Sequence, residues 1–514
     1  MRIADTAIDF RQLPGAAPAA IATVTETQWS SLAAAVRADG RFVAVWGSDR
    51  RPAGEGFIVY AAYALEDGLA CARLALPADR LEYPDLAAVF PSAARMQRAL
   101  FDLLGVSAAG AEDRRPWLRH GAWPADFFPL RHDADPHRAF ENEQERYAFV
   151  SVEGDGVHEI PVGPIHAGII EPGHFRFSIV GEKVLRLEQR LGYVHKGIER
   201  RFVGMPLADG HRLAGRVSGD STVAYAWAYA MAAEAACGCA IPARAAWLRA
   251  LLLERERVAN HLGDLGAIGN DGGLAFGLAQ FSRLRELWQR TSAAVFGHRL
   301  LMDLIVPGGV AVDPSRAGLA DVRAQCRELH GEVARLRSIY DEHAGLQDRF
   351  LTAGIVTPDL AAQLGLTGLA ARASGSPHDL RVNLPCPPYD QLGVKAAMEV
   401  RGDVAARVAV RFDEIFESLR LIESIADGLP NGDVRVDLPR GSGPGFGIGW
   451  VEGWRGDVLV ALEADDGGRL QRCHCHDPSW QNWPLLEHAV IGNIVPDFPL
   501  INKSFNLSYS GQDL

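Results

Sequence analysis

Two short polar segments hold the side chains best suited to chemistry in this sequence. The first is Arg216-Val217-Ser218-Gly219-Asp220-Ser221 and the second is Asn506-Leu507-Ser508-Tyr509-Ser510-Gly511. Their hydroxyl groups do not stabilise the soft metal ions that thiolates hold. Asp220 lies between Ser218 and Ser221 where a helix is expected to begin, and Asp and Ser accept hydrogen bonds from the free N–H groups of a first turn. The sequence therefore favours a helix cap at Asp220.

The seven cysteines offer a second kind of chemistry. Four adjacent residues in a strand point alternately to opposite faces, so Cys473-His474-Cys475-His476 cannot all reach one zinc ion. Cys237-Gly238-Cys239 follows an alanine-rich helix, where buried thiols are common core residues. Cys326 and Cys386 are solitary, so we predict no iron–sulfur cluster and no other metal on this chain. So few cysteines in so long a chain indicate a reducing compartment rather than a disulfide framework.

The glycine-rich segment Arg440–Gly447 admits two interpretations. Glycines free backbone N–H groups to face a phosphate. However, the segment lacks the Lys-Ser/Thr ending of a phosphate-binding loop and does not lie between a clear strand and a helix. A turn into a strand over Gly447–Trp454 is the favoured interpretation.

Length and charge restrict the class of protein. A chain of 514 residues should divide into two or three domains. The net charge of -12, without a run of Lys and Arg, argues against a nucleic-acid surface. No stretch of about 18 apolar residues is present, so we expect the chain itself to be soluble.

The periodicity of apolar residues predicts an α+β protein. A small N-terminal α/β domain over residues 1–131 mixes short strands with helices, and a polar linker over residues 132–147 follows it. The domain over residues 148–514 is expected to be mainly helical, with a β-hairpin. We predict strands at 150–160 and 175–186, and helices at 221–236, 243–265, 278–296, 316–344 and 403–427.

Several N-terminal motifs resemble the 30-kDa subunit of respiratory complex I. They are Leu81-Glu82-Tyr83-Pro84-Asp85, Phe90-Pro91-Ser92-Ala93, Phe101-Asp102-Leu103-Leu104-Gly105 and Asp113-Arg114-Arg115. The chain departs from that family at Gln97-Arg98-Ala99, where Glu-Arg-Glu is usual. The resemblance implies the fold of the 30-kDa subunit, but not the charge pairing of those two acids.

An ordered series of motifs in the second domain resembles the large subunit of membrane-bound nickel–iron hydrogenases of the formate-hydrogenlyase type and the 49-kDa subunit of complex I. The series comprises Val162-Gly163-Pro164-Ile165-His166, Glu171-Pro172-Gly173-His174, His195-Lys196-Gly197-Ile198-Glu199, Leu253-Glu254-Arg255-Glu256-Arg257, Arg372-Ala373-Ser374-Gly375, Gly402-Asp403-Val404, Asn482-Trp483-Pro484 and Asp497-Phe498-Pro499. It spans nearly the whole domain.

In those hydrogenases, each of the two polar segments carries a Cys-x-x-Cys pair that holds nickel and iron. The resemblance therefore makes four residues vestigial nickel-ligand positions, which we call the tetrad: Ser218, Ser221, Ser508 and Gly511. All four thiols are replaced, so we expect neither nickel nor hydrogen activation.

The resemblance also implies roles for nearby residues. The family's glutamate at the position of Glu171 passes protons beside the metal, although Glu171 could equally end a hairpin or pair with an arginine. Complex I binds a quinone through residues that align near Pro172 and Gly219, so this chain departs from that pattern too. His166 and His174 are substitutes on the same hairpin, and a structural role is favoured for both. Asp220 could serve a vestigial, water-filled cavity as a proton relay.

Arg372, Asp379 and Arg407 belong to motifs that bury a charged network in both branches of the family. That network lies next to the neighbouring iron–sulfur subunit, and buried charges require partners. The resemblance thus places these residues near a cofactor of another subunit. A purely structural ion network is the favoured interpretation for each one.

Together these features predict an electron-transfer subunit of a membrane-associated, complex-I-like oxidoreductase. Its acceptor would be a quinone or another small carrier, reduced at a cavity framed by Glu171, Asp220 and Ser508. Its partners would be an iron–sulfur small subunit and antiporter-like membrane subunits, with the chain peripheral on the cytoplasmic side of the membrane. The alternative is a catalytically silent scaffold subunit of such a complex.

Overall fold

The computed structural model describes residues 8–77, 79–141, 145–168, 170–439 and 445–514. Helices make up 43% and strands 19% of the chain, so the predicted mixture of helix and sheet is confirmed. Of the glycine-rich segment, residues 440–444 lie outside the described residues. The predicted domain boundaries stay a prediction.

The N-terminal region is a five-stranded sheet with helices packed on it. Its elements are β1 (Arg11–Gln12), β2 (Ala19–Thr23), α1 (Glu26–Asp39), β3 (Arg41–Asp49), β4 (Phe57–Leu65), β5 (Gly68–Leu76), β6 (Glu82–Pro84), α2 (Ala93–Leu104) and β7 (Ser107–Ala109). The strand order of this sheet is β1-β2-β5-β4-β3, in which β2 and β5 pair in parallel and the other neighbours are antiparallel. Strands β6 and β7 form a separate parallel pair. Thr25 caps α1 in a capping box with Gln28, which explains why the helix begins there.

Three strands follow where the sequence predicted two. They are β8 (Val157–Val162), β9 (His174–Val180) and β10 (Lys183–Arg190), in the antiparallel order β10-β9-β8. The predicted strand over residues 175–186 was wrong because Gly181, with a φ of 59°, turns the chain between β9 and β10. The predicted strand over 150–160 begins later, at Val157.

The next part of the chain is mainly helical. It contains α3 (Ile198–Phe202), α4 (His211–Ala214), α5 (Thr222–Cys237), α6 (Ala243–Asp271), α7 (Ala275–Phe296), β11 (Ile305–Val306), β12 (Gly309–Val310), α8 (Arg316–Glu342), α9 (Ala344–Phe350), α10 (Pro358–Leu364), α11 (Gly368–Arg372), α12 (Leu380–Asn383), α13 (Tyr389–Leu392) and α14 (Val404–Gly428). The five long helices that the sequence predicted are all present. The charged residues 254–257 of α6 are buried, so they need partners from other elements.

Another three-stranded sheet, which we call the C-terminal sheet, and three helices end the chain. They are β13 (Gly445–Glu452), β14 (Asp457–Ala464), β15 (Leu470–His476), α15 (Ser479–Ala489), α16 (Phe498–Phe505) and α17 (Tyr509–Asp513). The antiparallel strand order is β13-β14-β15. The favoured strand after the glycine-rich segment is thus present, but it begins at Gly445.

The N-terminal five-stranded sheet and the C-terminal sheet share one hydrophobic core. The ring of Trp46 on β3 stacks between Tyr60 on β4 and His474 on β15, with centroid distances of 5.2 and 5.0 Å. Arg472 also donates a hydrogen bond of 2.7 Å to the carbonyl oxygen of Gly47. Among the described residues, no helix has the length and apolar character needed to cross a membrane.

Candidate functional site

The two polar segments meet in the structure. Ser218 lies just before α5, and Ser508 caps α17, where its Oγ accepts a hydrogen bond of 2.9 Å from the N–H of Gly511. The hydroxyl oxygens of Ser218 and Ser508 are 2.9 Å apart, although 290 positions separate them in the chain. The fold therefore brings both halves of the tetrad together, as the resemblance implied.

Asp220 forms an ion pair instead of a helix cap. Arg455 donates to both carboxylate oxygens, at 2.8 and 2.5 Å, and Ser218 donates to Oδ1 at 2.8 Å. Burial alone would raise the pKa of Asp220, but the positive charge and hydrogen bonds of Arg455 lower it below its ordinary value. The expected cap was therefore wrong, because the neighbouring guanidinium binds this carboxylate more strongly than a helix N–H would.

Glu256 provides the cap that the sequence assigned to Asp220. Its carboxylate on α6 accepts hydrogen bonds from the N–H groups of Val223 and Ala224 in the first turn of α5, at 2.6 and 3.2 Å. Burial raises the pKa of Glu256 to about 8. The first turn of α5 is thus satisfied from another helix, which no local sequence pattern could indicate.

Arg455 is the central residue that the sequence did not identify. Besides Asp220, it contacts the carbonyl oxygen of Asn506 at 2.5 Å and the hydroxyl of Ser221 at 3.3 Å. Its guanidinium lies 4.0 Å from the ring centroid of Trp454, in a cation–π contact. The sequence feature that could have identified Arg455 was its position directly after the predicted strand 447–454.

Asp477 lies directly behind Gly511. A Cβ atom at Gly511 would stand 2.3 Å from Oδ2 of Asp477, which is far too close for any side chain. The hydroxyl of Tyr225 donates to Oδ2 at 2.7 Å, and the N–H of Ser479 donates to Oδ1 at 2.8 Å. Burial raises the pKa of Asp477 above its ordinary value. We call the tetrad together with Asp220, Arg455, Asp477 and Glu171 "the site".

Glu171 lies at the solvent-facing side of the site. It belongs to the loop between β8 and β9, is exposed, and accepts a hydrogen bond of 3.0 Å from the N–H of Ser510 in the first turn of α17. It thus joins the loop to α17, at a residue between the tetrad members Ser508 and Gly511. Among the described residues Glu171 makes no ion pair with an arginine, whereas Arg176 on β9 pairs with Glu159. The hydroxyl of Ser510 is 3.5 Å from that of Ser508.

The two candidate histidines, His166 in this loop and His174 at the start of β9, differ in their surroundings. His166 is half-buried, with Nε2 3.5 Å from the hydroxyl of Tyr509 and Nδ1 3.2 Å from the carbonyl oxygen of Pro164. His174 is buried, its Nδ1 contacts the carbonyl oxygen of Gly163, and burial lowers its pKa. His166 therefore borders the site, while His174 has a structural role.

Arg372 and Asp379 lie in a different buried cluster. Arg372 pairs with Glu414 at 2.7 Å and with Glu452 at 2.8 Å, and Asp379 pairs with Arg381 at 2.6 Å. This cluster is an ion network between α6, α11, α12, α14 and β13. Burial raises the pKa of Glu452 to about 7, while the charges of Arg381 and Arg372 outweigh burial and lower the pKa of Asp379.

Trp454 separates this ion network from the site. It follows Glu452 and donates a hydrogen bond of 2.9 Å from Nε1 to the backbone oxygen of Asp220. Arg407, which the sequence grouped with Arg372, instead donates to the carbonyl oxygens of Gly402 and Gly354. The charges that the sequence grouped together thus divide into separate clusters.

The residues present do not fit a nickel–iron centre. Three tetrad members offer neutral hydroxyls, and the fourth, Gly511, has no side chain and no room for one. The guanidinium of Arg455 brings a permanent positive charge to the same place. Elsewhere in the described ranges, no group of three or more His, Cys, Asp or Glu side chains could hold a metal ion. In β15, His474 contacts Glu199 and His476 contacts Gln481.

Comparisons with known families agree with this architecture. Residues 22–139 match the family described as respiratory-chain NADH dehydrogenase, 30 Kd subunit, and residues 271–445 match the respiratory-chain NADH dehydrogenase, 49 Kd subunit. The chain is 31% identical to formate hydrogenlyase subunit 5 of Escherichia coli, over 91% of this chain and 84% of that protein. It is 30% identical to hydrogenase-4 component G of the same organism, over 92% and 84%.

Two further similarities extend the range of relatives. The NADH-quinone oxidoreductase C/D protein of Bacteroides thetaiotaomicron is 26% identical over 80% of this chain and 82% of that protein. A chain in the structure of the membrane-bound sulfane sulfur reductase, an archaeal respiratory membrane complex, matches with a TM-score of 0.66 and 26% identity. That match covers 70% of this chain and 99% of the other.

Proposed function

This chain belongs to the family of fused 30- and 49-kDa-type subunits that includes formate hydrogenlyase subunit 5, and we propose that it is an electron-transfer subunit without a nickel–iron centre. It passes electrons to a quinone or another small carrier. The relatives are subunits of membrane-bound hydrogenase and complex-I-like assemblies. The assembly is accordingly a complex-I-like oxidoreductase.

The observation that carries this proposal is that two carboxylates open to solvent, Glu171 and Asp220, lie beside the tetrad. Glu171 is exposed, and the side chain of Asp220 keeps 35% of its exposure. A quinone takes up two protons with two electrons, and carboxylates next to the acceptor can deliver protons. The hydroxyls of Ser510, Ser508 and Ser218 form a chain that ends at the carboxylate of Asp220, and hydroxyls in contact can pass protons. Glu171 meets the outer end of this chain at the backbone N–H of Ser510.

The electrons reach the site from an iron–sulfur small subunit that docks beside this chain. The described residues of this chain offer no group of side chains suited to a metal cluster of its own. The similarity to a chain of an archaeal respiratory membrane complex supports membrane partners, which we take to be antiporter-like subunits. The chain is then peripheral, on the cytoplasmic side of the membrane.

Turnover of the intact complex tests this function. Glu171→Gln and Asp220→Asn keep the shape of each side chain and remove its charge. We expect each variant to lower the rate of reduction of a water-soluble short-chain quinone by about tenfold or more, because each removes an ionisable group that can take up and release protons beside the acceptor. Glu182→Gln, an exposed carboxylate on the β9–β10 turn, is the matched control. Unchanged rates in both site variants, with normal assembly, would contradict the proposal.

A silent scaffold is the second candidate, because Arg455 and Asp220 already satisfy each other. Mass spectrometry of proteins that co-purify with the tagged chain from gently solubilised membranes tests the assembly itself. We expect an iron–sulfur protein and multi-spanning subunits. An assembled complex with an unchanged turnover rate in both site variants would establish the scaffold. Recovery of the chain alone would contradict both candidates.

A further inference from the structure

The centre of the site is filled by this chain's own charged side chains. We propose that Asp477 and the Asp220–Arg455 pair replace a metal ion at the junction of the two polar segments, so that the site is built to be metal-free and is not an empty site awaiting metal. The inference concerns how the site is built, so it does not depend on the identity of the electron acceptor.

Asp477 occupies the volume that a fourth ligand would need. It is only 1% exposed, and both of its carboxylate oxygens are fixed, one by Tyr225 and one by Ser479. The 2.3 Å approach to the Cβ position of Gly511 therefore involves an atom that cannot swing away freely. Glycine at 511 is thus required mainly by Asp477, and the Oγ of Ser508, at 2.9 Å from the same Cβ position, adds a smaller clash.

Arg455 supplies the positive charge. The residue is 6% exposed and is fixed by two hydrogen bonds to Asp220 and one to the carbonyl oxygen of Asn506. A guanidinium stays protonated at every physiological pH. A second cation bound beside Ser221, which contacts this guanidinium at 3.3 Å, would be repelled.

A direct hydrogen bond supplies the cross-link. A metal ion held by both segments would tie them together, and here the 2.9 Å contact between the Ser218 and Ser508 hydroxyls does so. Asn506 extends the connection, since its backbone oxygen binds Arg455 and its side chain donates a hydrogen bond of 2.6 Å to Asp264 on α6. Residues of this chain therefore supply the filled volume, the positive charge and the link between the two segments that a metal ion would otherwise supply.

A double-mutant cycle on the full chain tests the first of these steps. Gly511→Ala adds the methyl group that meets Asp477, and we expect the Tm to fall by roughly 2–10 °C. Against an Asp477→Ala background, the same methyl group should cost less than half of that fall. Gly219→Ala is the matched control, because its Cβ meets only Met302 at 3.8 Å. An equal fall in both backgrounds would overturn the proposal.

Metal binding gives a second, independent readout. The full chain with S218C, S221C, S508C and G511C is titrated with cobalt(II), whose absorption bands report tetrahedral thiolate ligands. We expect this variant to bind cobalt(II) about tenfold or more weakly than the same variant with Asp477→Ala. Equally tight binding with Asp477 in place would overturn the proposal. Neither measurement uses electron transfer, so a failure here leaves the quinone-reduction test unaffected.

Discussion

The Asp220–Arg455 pair sets the charge next to Ser218 and Ser221 of the tetrad. Asp220 keeps a partly exposed side chain, whereas Arg455 is buried between Trp454 and the last turn before α17. The carboxylate raises the pKa of Arg455 further, although burial opposes it. Each group therefore stabilises the charged form of the other, and the removal of either leaves the second without its counter-charge.

Asp220→Asn should lower stability in a pH-dependent way. The loss of one partner from a fully buried pair costs about 3–5 kcal/mol, but water reaches Asp220, so we expect about 1–2 kcal/mol at neutral pH. Because the folded pKa of Asp220 is lowered, its contribution is present above the unfolded value of about 3.9 and is lost as pH falls below it.

Thermal unfolding of the natural chain and of D220N between pH 7 and pH 3 measures this effect. The two stabilities should converge as the pH falls below about 4. A gap of constant size across that range would show that the charge of Asp220 contributes nothing. Arg455→Met provides the reciprocal variant, and it should be at least as destabilising.

At the scale of elements, α5 is positioned by groups outside its own sequence. Glu256 on α6 caps its first turn, and β13 approaches it so closely that a Cβ atom at Gly449 would stand 1.8 Å from the carbonyl oxygen of Ala228. Gly447 meets Ala232 in the same way at 1.9 Å. Glycines every second residue on the strand thus face alanines every fourth residue on the helix.

The Glu256 cap should make stability fall as pH rises. Its folded pKa of about 8 lies above the unfolded value of about 4.3, so the folded chain binds one more proton between these values. Stability therefore decreases with pH, by at most about 1.4 kcal/mol for each unit in that window. Glu256→Gln keeps the acceptor oxygen for the shorter hydrogen bond, from Val223, and should gain stability relative to the natural chain from pH 5 to pH 8. Exposed Glu342→Gln on α8 is the control, and parallel pH profiles would refute the assignment.

Gly449→Ala should push β13 away from α5. We expect a loss of about 1–3 kcal/mol or more, as for other overpacked cores. Gly331→Ala in α8 is the matched control, because nothing lies within 4 Å of its Cβ position and alanine favours a helix interior. Urea unfolding of both variants decides the question, and a G449A variant as stable as G331A would contradict the close packing.

The long elements could be predicted from sequence, whereas the composition of the site could not. The periodicity of α5, α6, α7, α8 and α14 is local, so it shows in the sequence. Arg455, Asp477 and Glu256 reach the site from β13–β14, β15–α15 and α6, and their pairing depends on contacts between residues far apart in the chain. Glu171 and the tetrad were found only because a resemblance to known relatives grouped them.

At the scale of the whole molecule, the two sheets are joined by packing and by charge. Trp46 stacks on His474 of the C-terminal sheet. Arg41 at the start of β3 pairs with Asp457 at the start of β14 at 2.7 Å. Arg95 on α2 pairs with Glu487 on α15 at 2.6 Å. Because these contacts join the N-terminal sheet to the elements that hold Asp477, the fused arrangement supports the site directly.

Trp46→Ala should uncouple the two parts of the chain. Trp46 is 3% exposed and lies between Tyr60 and His474, so its removal leaves a cavity at the contact between the sheets and costs about 3–5 kcal/mol. We expect the natural chain to unfold in one calorimetric transition and the variant in two, because the cavity at Trp46 interrupts the shared core while contacts within each part, such as Trp29 on Tyr83 and Trp483 on Tyr509, remain. Trp29→Ala is the control, because Trp29 is equally buried but packs on Tyr83 within the N-terminal part. Two transitions already in the natural chain, or one in the variant, would show that the contact at Trp46 does not couple the sheets.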